Sequence, residues 1–315
     1  MIDIGINYLT DLDGNNNKYD NIYKFLINEN FINTIKFPGK YCDYENLDMF
    51  ISFAKQTNTK IDLHGLPGMF PCMSSKKLLE SINWDVLKEK LRSSGGIYRI
   101  STHMGIENKD RLSNYTDKEL NKIWVENFDT LKSKMEDVLK NKINVGLENI
   151  PGGFDFDVKT LMPEYVSDNW GKADFGVFDI SHAKLAAQML NISFDEYIEK
   201  LENKEKVKII HVSGVIDDTE KYKHKPDKHV VIHKDEIQDI IKVLNAFKNV
   251  DLAVSEYAFN TKYSTEKEII IEAITLSTIV KTMDYESSRK VLDILENKLN
   301  DDISNLSEVI KNINS

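Results

Sequence analysis

Thiols, arginines, glycine-rich loops and long apolar runs are all scarce in this chain of 315 residues. Its two cysteines, Cys42 and Cys72, stand in neither a CxxC nor a zinc-ribbon spacing. A disulfide scaffold therefore has no basis, and a reducing compartment, the cytoplasm, is the simpler expectation. No apolar run approaches the ~20 residues that span a bilayer. The opening "MIDIGINYLTDLDG" lacks the basic and apolar regions of a secretory signal. No GxGxxG follows the first apolar run and GxxxxGK[ST] occurs nowhere, so a nucleotide-binding open sheet lacks its main signature. There are only four arginines, Arg92, Arg99, Arg111 and Arg289, and the formal net charge is −10. Such a field repels a polyanion unless basic residues gather on one face. DNA is disfavoured as a partner on this ground, and no membrane partner is expected.

What is present is alternation. Eight short runs rich in β-branched and apolar residues recur: 2–7, 33–37, 60–65, 97–103, 143–149, 175–181, 207–214 and 251–257. Between them lie segments with helical apolar spacing, including 45–57, 75–94, 116–140, 193–204 and 235–248. Strand–helix alternation of this kind predicts an α/β fold, a (β/α)8 TIM barrel. The barrel is expected over 1–285. Residues 286–315 read as one more amphipathic helix, with Val291, Ile294, Leu295 and Leu299 on one stripe. This C-terminal extension is expected to pack on the barrel or on a partner. A long charged loop, 214–232, follows the seventh strand.

Barrel enzymes carry their chemistry at the carboxyl ends of the strands. His64 ends the third candidate strand and His103 the fourth; the fifth carries Glu148, and the sixth Asp179 followed by His182. His211 lies in the seventh and Glu256 in the eighth, while "PDKH" in the long loop adds Asp227 and His229. Singly, each is an ordinary satisfied polar residue. Together, nine carboxylates and imidazoles at one mouth would repel and desolvate one another without cations. The donor types suit zinc, manganese or iron, and the absence of thiolate argues against copper(I) or an iron–sulfur cluster. Nine groups exceed the four to six ligands of one ion. Two or three divalent ions are implied, with Glu148 and Asp179 as bridges by their central order. In the loop after His64, "LPGMFPCM", Met69, Phe70 and Met73 read as packing residues and Cys72 as a buried hydrophobe.

This ordered set resembles the xylose isomerase-like barrel superfamily. Glu148, Asp179, His211 and Glu256 alone look like the single-metal site of its sugar isomerases and epimerases. The full set resembles the three-metal site of the endonuclease IV family, and "DISHAKLAA" and "ENIPG" are similar to that family's motifs. The resemblance implies one ion on His64, His103 and Glu148. A second would sit on Glu148, Asp179, His211 and Glu256, and a third on His182, Asp227 and His229. The same ligand order also occurs in multinuclear non-haem iron enzymes typified by methanobactin-biosynthesis oxygenases. "DLHGL", "ISTHMG", and "KIIHVSG" followed by "PDKH" look more like this group, although His182 stands where many of its members carry Asn.

The iron-enzyme resemblance implies oxidative modification of a cysteine-containing peptide or small thiol, often presented by a partner protein. Iron is then the first expectation, with zinc or manganese as alternatives. Glu148, Asp179 and Glu256 would be the acids at the reacting centre. A zinc phosphodiesterase acting in DNA repair is the second expectation, and a sugar isomerase or epimerase the third.

Overall fold

The computed structural model describes residues 1–13, 16–39, 42–70, 72–92, 96–105, 116–151, 158–216, 229–257 and 265–313. Eight parallel strands close into a barrel: β1 Asp3–Asn7, β2 Thr34–Phe37, β3 Lys60–His64 and β4 Arg99–His103, then β5 Asn144–Glu148, β6 Phe175–Asp179, β7 Val207–Val212 and β8 Leu252–Ser255. Each strand pairs with its sequence neighbour, and β1 closes the ring against β8 through Asp3↔Leu252 to Ile6↔Ser255. Helices cover the outside: α1 Asp20–Asn28, α2 Tyr44–Thr57, α3 Trp84–Leu91, α4 Asp117–Leu139, α5 Pro163–Lys172, α6 Ile180–Leu190, α7 Phe194–Lys200, α8 Ile237–Ala246 and α9 Glu266–Thr282. The eight expected strands are all present, and the barrel assignment stands. Among the described residues, no helix is long and apolar enough to cross a membrane.

Alternate residues of a strand face the barrel interior, which is layered. At the amino-terminal end, Arg99 Nε lies 2.9 Å from Asp62 Oδ1 and its Nη1 lies 2.7 Å from Asp251 Oδ1. Above this plug, Phe175, Val177, Ile209, Leu252 and Val254 form a small apolar cluster of their own. Gly146 makes room for it: a Cβ there would lie 2.2 Å from the Phe175 ring. The larger core lies between strands and helices, where the apolar faces of α2, α8 and α9 are buried. The polar side chains at the carboxyl ends thus stand on a dry, packed platform.

Three helix expectations were too long, that over 193–204 ending already at Lys200. Among the described residues of 75–94, only Trp84–Leu91 is α-helical. Upstream, Ser75, Leu78, Glu80 and Ile82 donate to carbonyls three residues back, forming successive turns. Asn83 then caps the true helix, its Oδ1 accepting from the Val86 amide at 3.2 Å. The tail is two helices, α10 Tyr285–Lys298 and α11 Leu306–Ile313. Leu299 turns to extended backbone, and the Asn305 side chain staples the break by contacting the Asn300 amide and the Lys298 carbonyl. Val291, Leu292, Leu295 and Leu299 are buried, with α10 against α8 and α9.

Candidate metal centre

The strand ends converge as the repeat requires. Glu148, fully buried at the end of β5, is the hub. Its Oε2 lies 3.2 Å from His64 Nε2, and its Oε1 lies 3.8 Å from His103 Nε2, 3.3 Å from His182 Nδ1 and 3.1 Å from His211 Nδ1. His211 Nδ1 is also 3.1 Å from Glu256 Oε1. The His182 and His229 rings approach to 5.4 Å, as do those of His64 and His211.

Three groups of candidate ligand atoms result, each with all members within 4.8 Å of one another. They are His64, His103 and Glu148; then Glu148, Asp179, His211 and Glu256; then Asp179, His182 and His229. Glu148 belongs to the first two and Asp179 to the last two. These are the residues expected as bridges. Asp227 lies outside the described residues, as does His224. His233 lies apart from the three groups and caps a short helical turn through the Asp235 amide.

Local structure explains how each donor is presented. Asp179 ends β6 and is the N-cap of α6, so one side chain serves two purposes. Its Oδ1 accepts from the His182 amide at 2.7 Å and from Ser181 Oγ at 2.6 Å. Its Oδ2 is buried with no hydrogen-bond partner among the described residues. Asn149 clamps the same strand end, accepting from the Asp179 amide at 2.7 Å and donating to its carbonyl at 2.9 Å.

The histidines are oriented by partners on one ring nitrogen. His64 Nδ1 is 2.9 Å from Ser101 Oγ, whose own proton has the Leu63 carbonyl as acceptor at 3.4 Å. His182 Nδ1 is 2.8 Å from the Asn149 carbonyl, and His229 Nδ1 is 2.9 Å from Ser213 Oγ. For His182 the carbonyl can only accept, and for His64 the Ser101 proton is turned to Leu63, so in both Nδ1–H donates outward and Nε2 keeps a lone pair for a ligand bond, the usual arrangement around bound metals. Burial holds His64 and His211 well below the ordinary imidazole range, with the Lys36 charge and neighbouring histidines adding to the effect. They are neutral, as a ligand must be.

The approach of the backbone matters beside His64. Gly39 adopts φ +22°, and a Cβ there would lie 2.5 Å from the His64 carbonyl oxygen. Only glycine lets the loop after β2 lie this close. On the other side, Met73 donates its amide to the His103 carbonyl at 3.1 Å, while Met69, Cys72 and Met73 are themselves buried. Packing is what these loop residues do.

Two inward positions were missed by looking only at strands three to eight. Asn7 ends β1 and Lys36 stands beside it in register on β2. Lys36 is fully buried and its ammonium contacts Glu256 Oε1. Burial pulls its pKa down to about 8, against the opposing pull of Glu148, Asp62 and Asp179. The signal was a lysine in the middle of "NTIKF" at an interior-facing position. Ser101, Ser213 and Asn149 were also missed, because only the folded structure sets them beside the rings.

The residues present fit a metal centre on their chemistry. Neutral imidazoles, anionic carboxylates and oriented lone pairs are gathered where water has little access, and like charges so close need cations. No protein-family model and no curated protein sequence matches the chain. Solved structures do. An L-ribulose 3-epimerase is 11% identical over 95% of this chain and 100% of its own, with a TM-score of 0.54. A xylose isomerase domain-containing protein of Salmonella typhimurium LT2 is 12% identical, covering 88% of this chain and 96% of its own, at 0.53. A D-psicose 3-epimerase of Clostridium cellulolyticum H10, solved with D-tagatose, is 13% identical over 94% and 98%, at 0.51. At such identities the likeness is one of architecture: this chain is a (β/α)8 barrel, similar in fold to these proteins.

Proposed function

We propose that this chain is a multinuclear metal-dependent enzyme that oxidatively modifies a thiol, either a cysteine-containing peptide or a small-molecule thiol. The observation that carries the proposal is the sharing of Glu148 and Asp179 among three ligand groups. One carboxylate serving two groups makes chemical sense when two cations share its charge. Two or three divalent ions would be held, iron first and zinc or manganese as alternatives. His64, His103 and Glu148 would hold one, and Glu148, Asp179, His211 and Glu256 the next. Asp179, His182 and His229 would hold a third, with Asp227 expected to join them. When bound, the ions would supply redox and Lewis-acid chemistry at the mouth.

The chain's own residues do the rest. Ser101, Asn149 and Ser213 orient the imidazoles through Nδ1. The apolar platform and the buried loop after β3 restrict water below the site. Glu148, Asp179 and Glu256 balance the cationic charge. A partner protein presenting the peptide belongs to this proposal, as does a mouth open to such a segment.

A phosphodiesterase needs cations for the substrate backbone. Arg99 is committed to Asp62 and Asp251 at the far end of the barrel, and Arg289 pairs with Glu286 on α10. Neither is placed for phosphate contacts at the mouth. A sugar epimerase is a second reading, favoured by the epimerases among the similar structures. It needs only the central group and leaves His64, His103, His182 and His229 without a task. The test is mass spectrometry of a cysteine-containing peptide after incubation with iron-reconstituted protein and O2. A mass change on the cysteine is expected. An unchanged peptide, together with isomerisation of a ketose by the manganese-loaded protein, would replace the proposal with the second reading.

A further inference from the structure

Six of the eight strand ends give the mouth a carboxylate or an imidazole. The other two, adjacent on β1 and β2, give Asn7 and Lys36. This arc of the mouth is polar, buried and free of residues from the three ligand groups. Asn7 shares interior parity with Gly5, whose missing Cβ would meet Val254, Leu252 and Thr34 inside the barrel. Both amide atoms of the Asn7 side chain are buried without hydrogen-bond partners among the described residues. Buried polar groups left this way normally have a partner in the working state. Lys36, wholly buried on β2, contacts Glu256, the residue that follows β8 on the other side of β1.

We infer that Asn7 and Lys36 form a substrate subsite that binds an anionic group, a carboxylate, next to the metal centre. Charge is the first reason. The described mouth carries the carboxylates Glu148, Asp179 and Glu256 against one ammonium. Loading even two divalent ions makes this mouth cationic, which favours an anionic ligand. Geometry is the second. Glu256, the counter-ion of Lys36, belongs to the central ligand group. As a ligand it turns that charge to a cation, and the buried Lys36 nitrogen is left to donate to a second acceptor within reach. A substrate carboxylate supplies it. The Asn7 amide, beside Lys36 in register, adds a donor to the same group. The subsite deepens the proposed function and rests on it only for the sulfur: the substrate is a thiol bearing a carboxylate near the reacting carbon.

The test is anaerobic calorimetry on iron-loaded protein with three probes: propionate, 3-mercaptopropionate and 2-mercaptoethanol. A charge-assisted hydrogen bond in a buried site is worth about tenfold to a hundredfold in affinity. The expected result is 3-mercaptopropionate binding at least about tenfold tighter than 2-mercaptoethanol. In Lys36→Met and Lys36→Gln, run side by side with metal content measured in each, that preference disappears while 2-mercaptoethanol binds as before. Asn7→Ala shows a smaller loss of the same kind. A wild-type protein indifferent to the carboxylate overturns the subsite, as does a Lys36 variant that keeps the preference with its iron intact. Propionate separates this failure from that of the thiol proposal. If propionate binds through Lys36 and the thiol adds nothing, the subsite stands and the thiol proposal falls. If both thiols bind equally well in every variant, the thiol proposal stands and the subsite falls.

Discussion

Replacing Asp179 by asparagine separates its two duties. The Oδ1 duty is structural: it caps α6 by accepting from the His182 amide at 2.7 Å. Asparagine caps nearly as well as aspartate, so this duty changes by a few tenths of a kcal/mol. The Oδ2 duty is the shared charge between two ligand groups. An amide nitrogen placed there donates instead of accepting, and the negative charge is gone. In metal-free protein, the loss relieves repulsion from Glu148 in the same group, so the melting temperature should fall by under about 2 °C or rise slightly. Asp179→Ala removes the cap as well and leaves the His182 amide and Ser181 hydroxyl short of a buried acceptor. It should cost about 1–2 kcal/mol, or roughly 2–4 °C. Bound metal should drop by at least one equivalent in both variants. The assay is elemental analysis beside melting curves recorded with and without chelator. Full metal content in Asp179→Asn would show that this carboxylate is a helix cap only, and the bridging role would be lost.

Four other outcomes are expected. Ser213→Ala removes the partner of His229 Nδ1 and should weaken the last metal equivalent about tenfold to a hundredfold, read by chelator competition; unchanged affinity would free His229 of a ligand role. His229→Ala and His182→Ala should each lose metal while His233→Ala and His224→Ala keep it, and the reverse pattern in the loop would mean that His224 is the ligand. His64 and His211 are held neutral in the fold, whereas in the unfolded chain they take up protons near pH 6.5. Their folded pKa is lowered, so their contribution is present above that value and lost as pH falls. Urea midpoints of metal-free protein should drop from about pH 6.5 downward, by up to about 1.4 kcal/mol per pH unit for each histidine, and a flat profile would contradict neutral burial. Glu272 behaves with the opposite sign. Burial raises it to about 8 while it accepts from the Ile232 amide at 2.8 Å, so wild type loses stability as pH climbs from about 4.3 toward that value. Glu272→Gln should gain on wild type across this window, and urea melts showing no such gain would place the carboxylate in a wetter site.

How far the sequence alone carried depended on the residue type. The barrel was legible because runs such as "FGVFDIS" and "VKIIHVSG" combine a short β-rich stretch with an acid or histidine at its end. Six strand-end donors could be named without coordinates for that reason, and Glu148 and Asp179 could be singled out from their central order. Lys36 could not, since a lysine is ordinarily a solvated charge, and its burial depends on the pairing of β2 with β1. Ser101 and Asn149 carry no mark in one dimension: the first is 37 residues from His64, the second 30 from Asp179. The helix expected over 75–94 failed differently. Its apolar spacing was real, but three-residue turns and the Asn83 cap took the backbone hydrogen bonds of its first half. The tail broke where Asn305 offered the backbone a competing partner.

Elemental analysis of the wild-type protein, purified without oxygen and without added metal, tests the central claim most directly. Two or more equivalents of divalent metal per chain, iron foremost, are expected from ligand groups that share Glu148 and Asp179. A single equivalent at saturation, unchanged when His64 or His229 is replaced by alanine, would contradict the multinuclear centre and leave only the central group of Glu148, Asp179, His211 and Glu256.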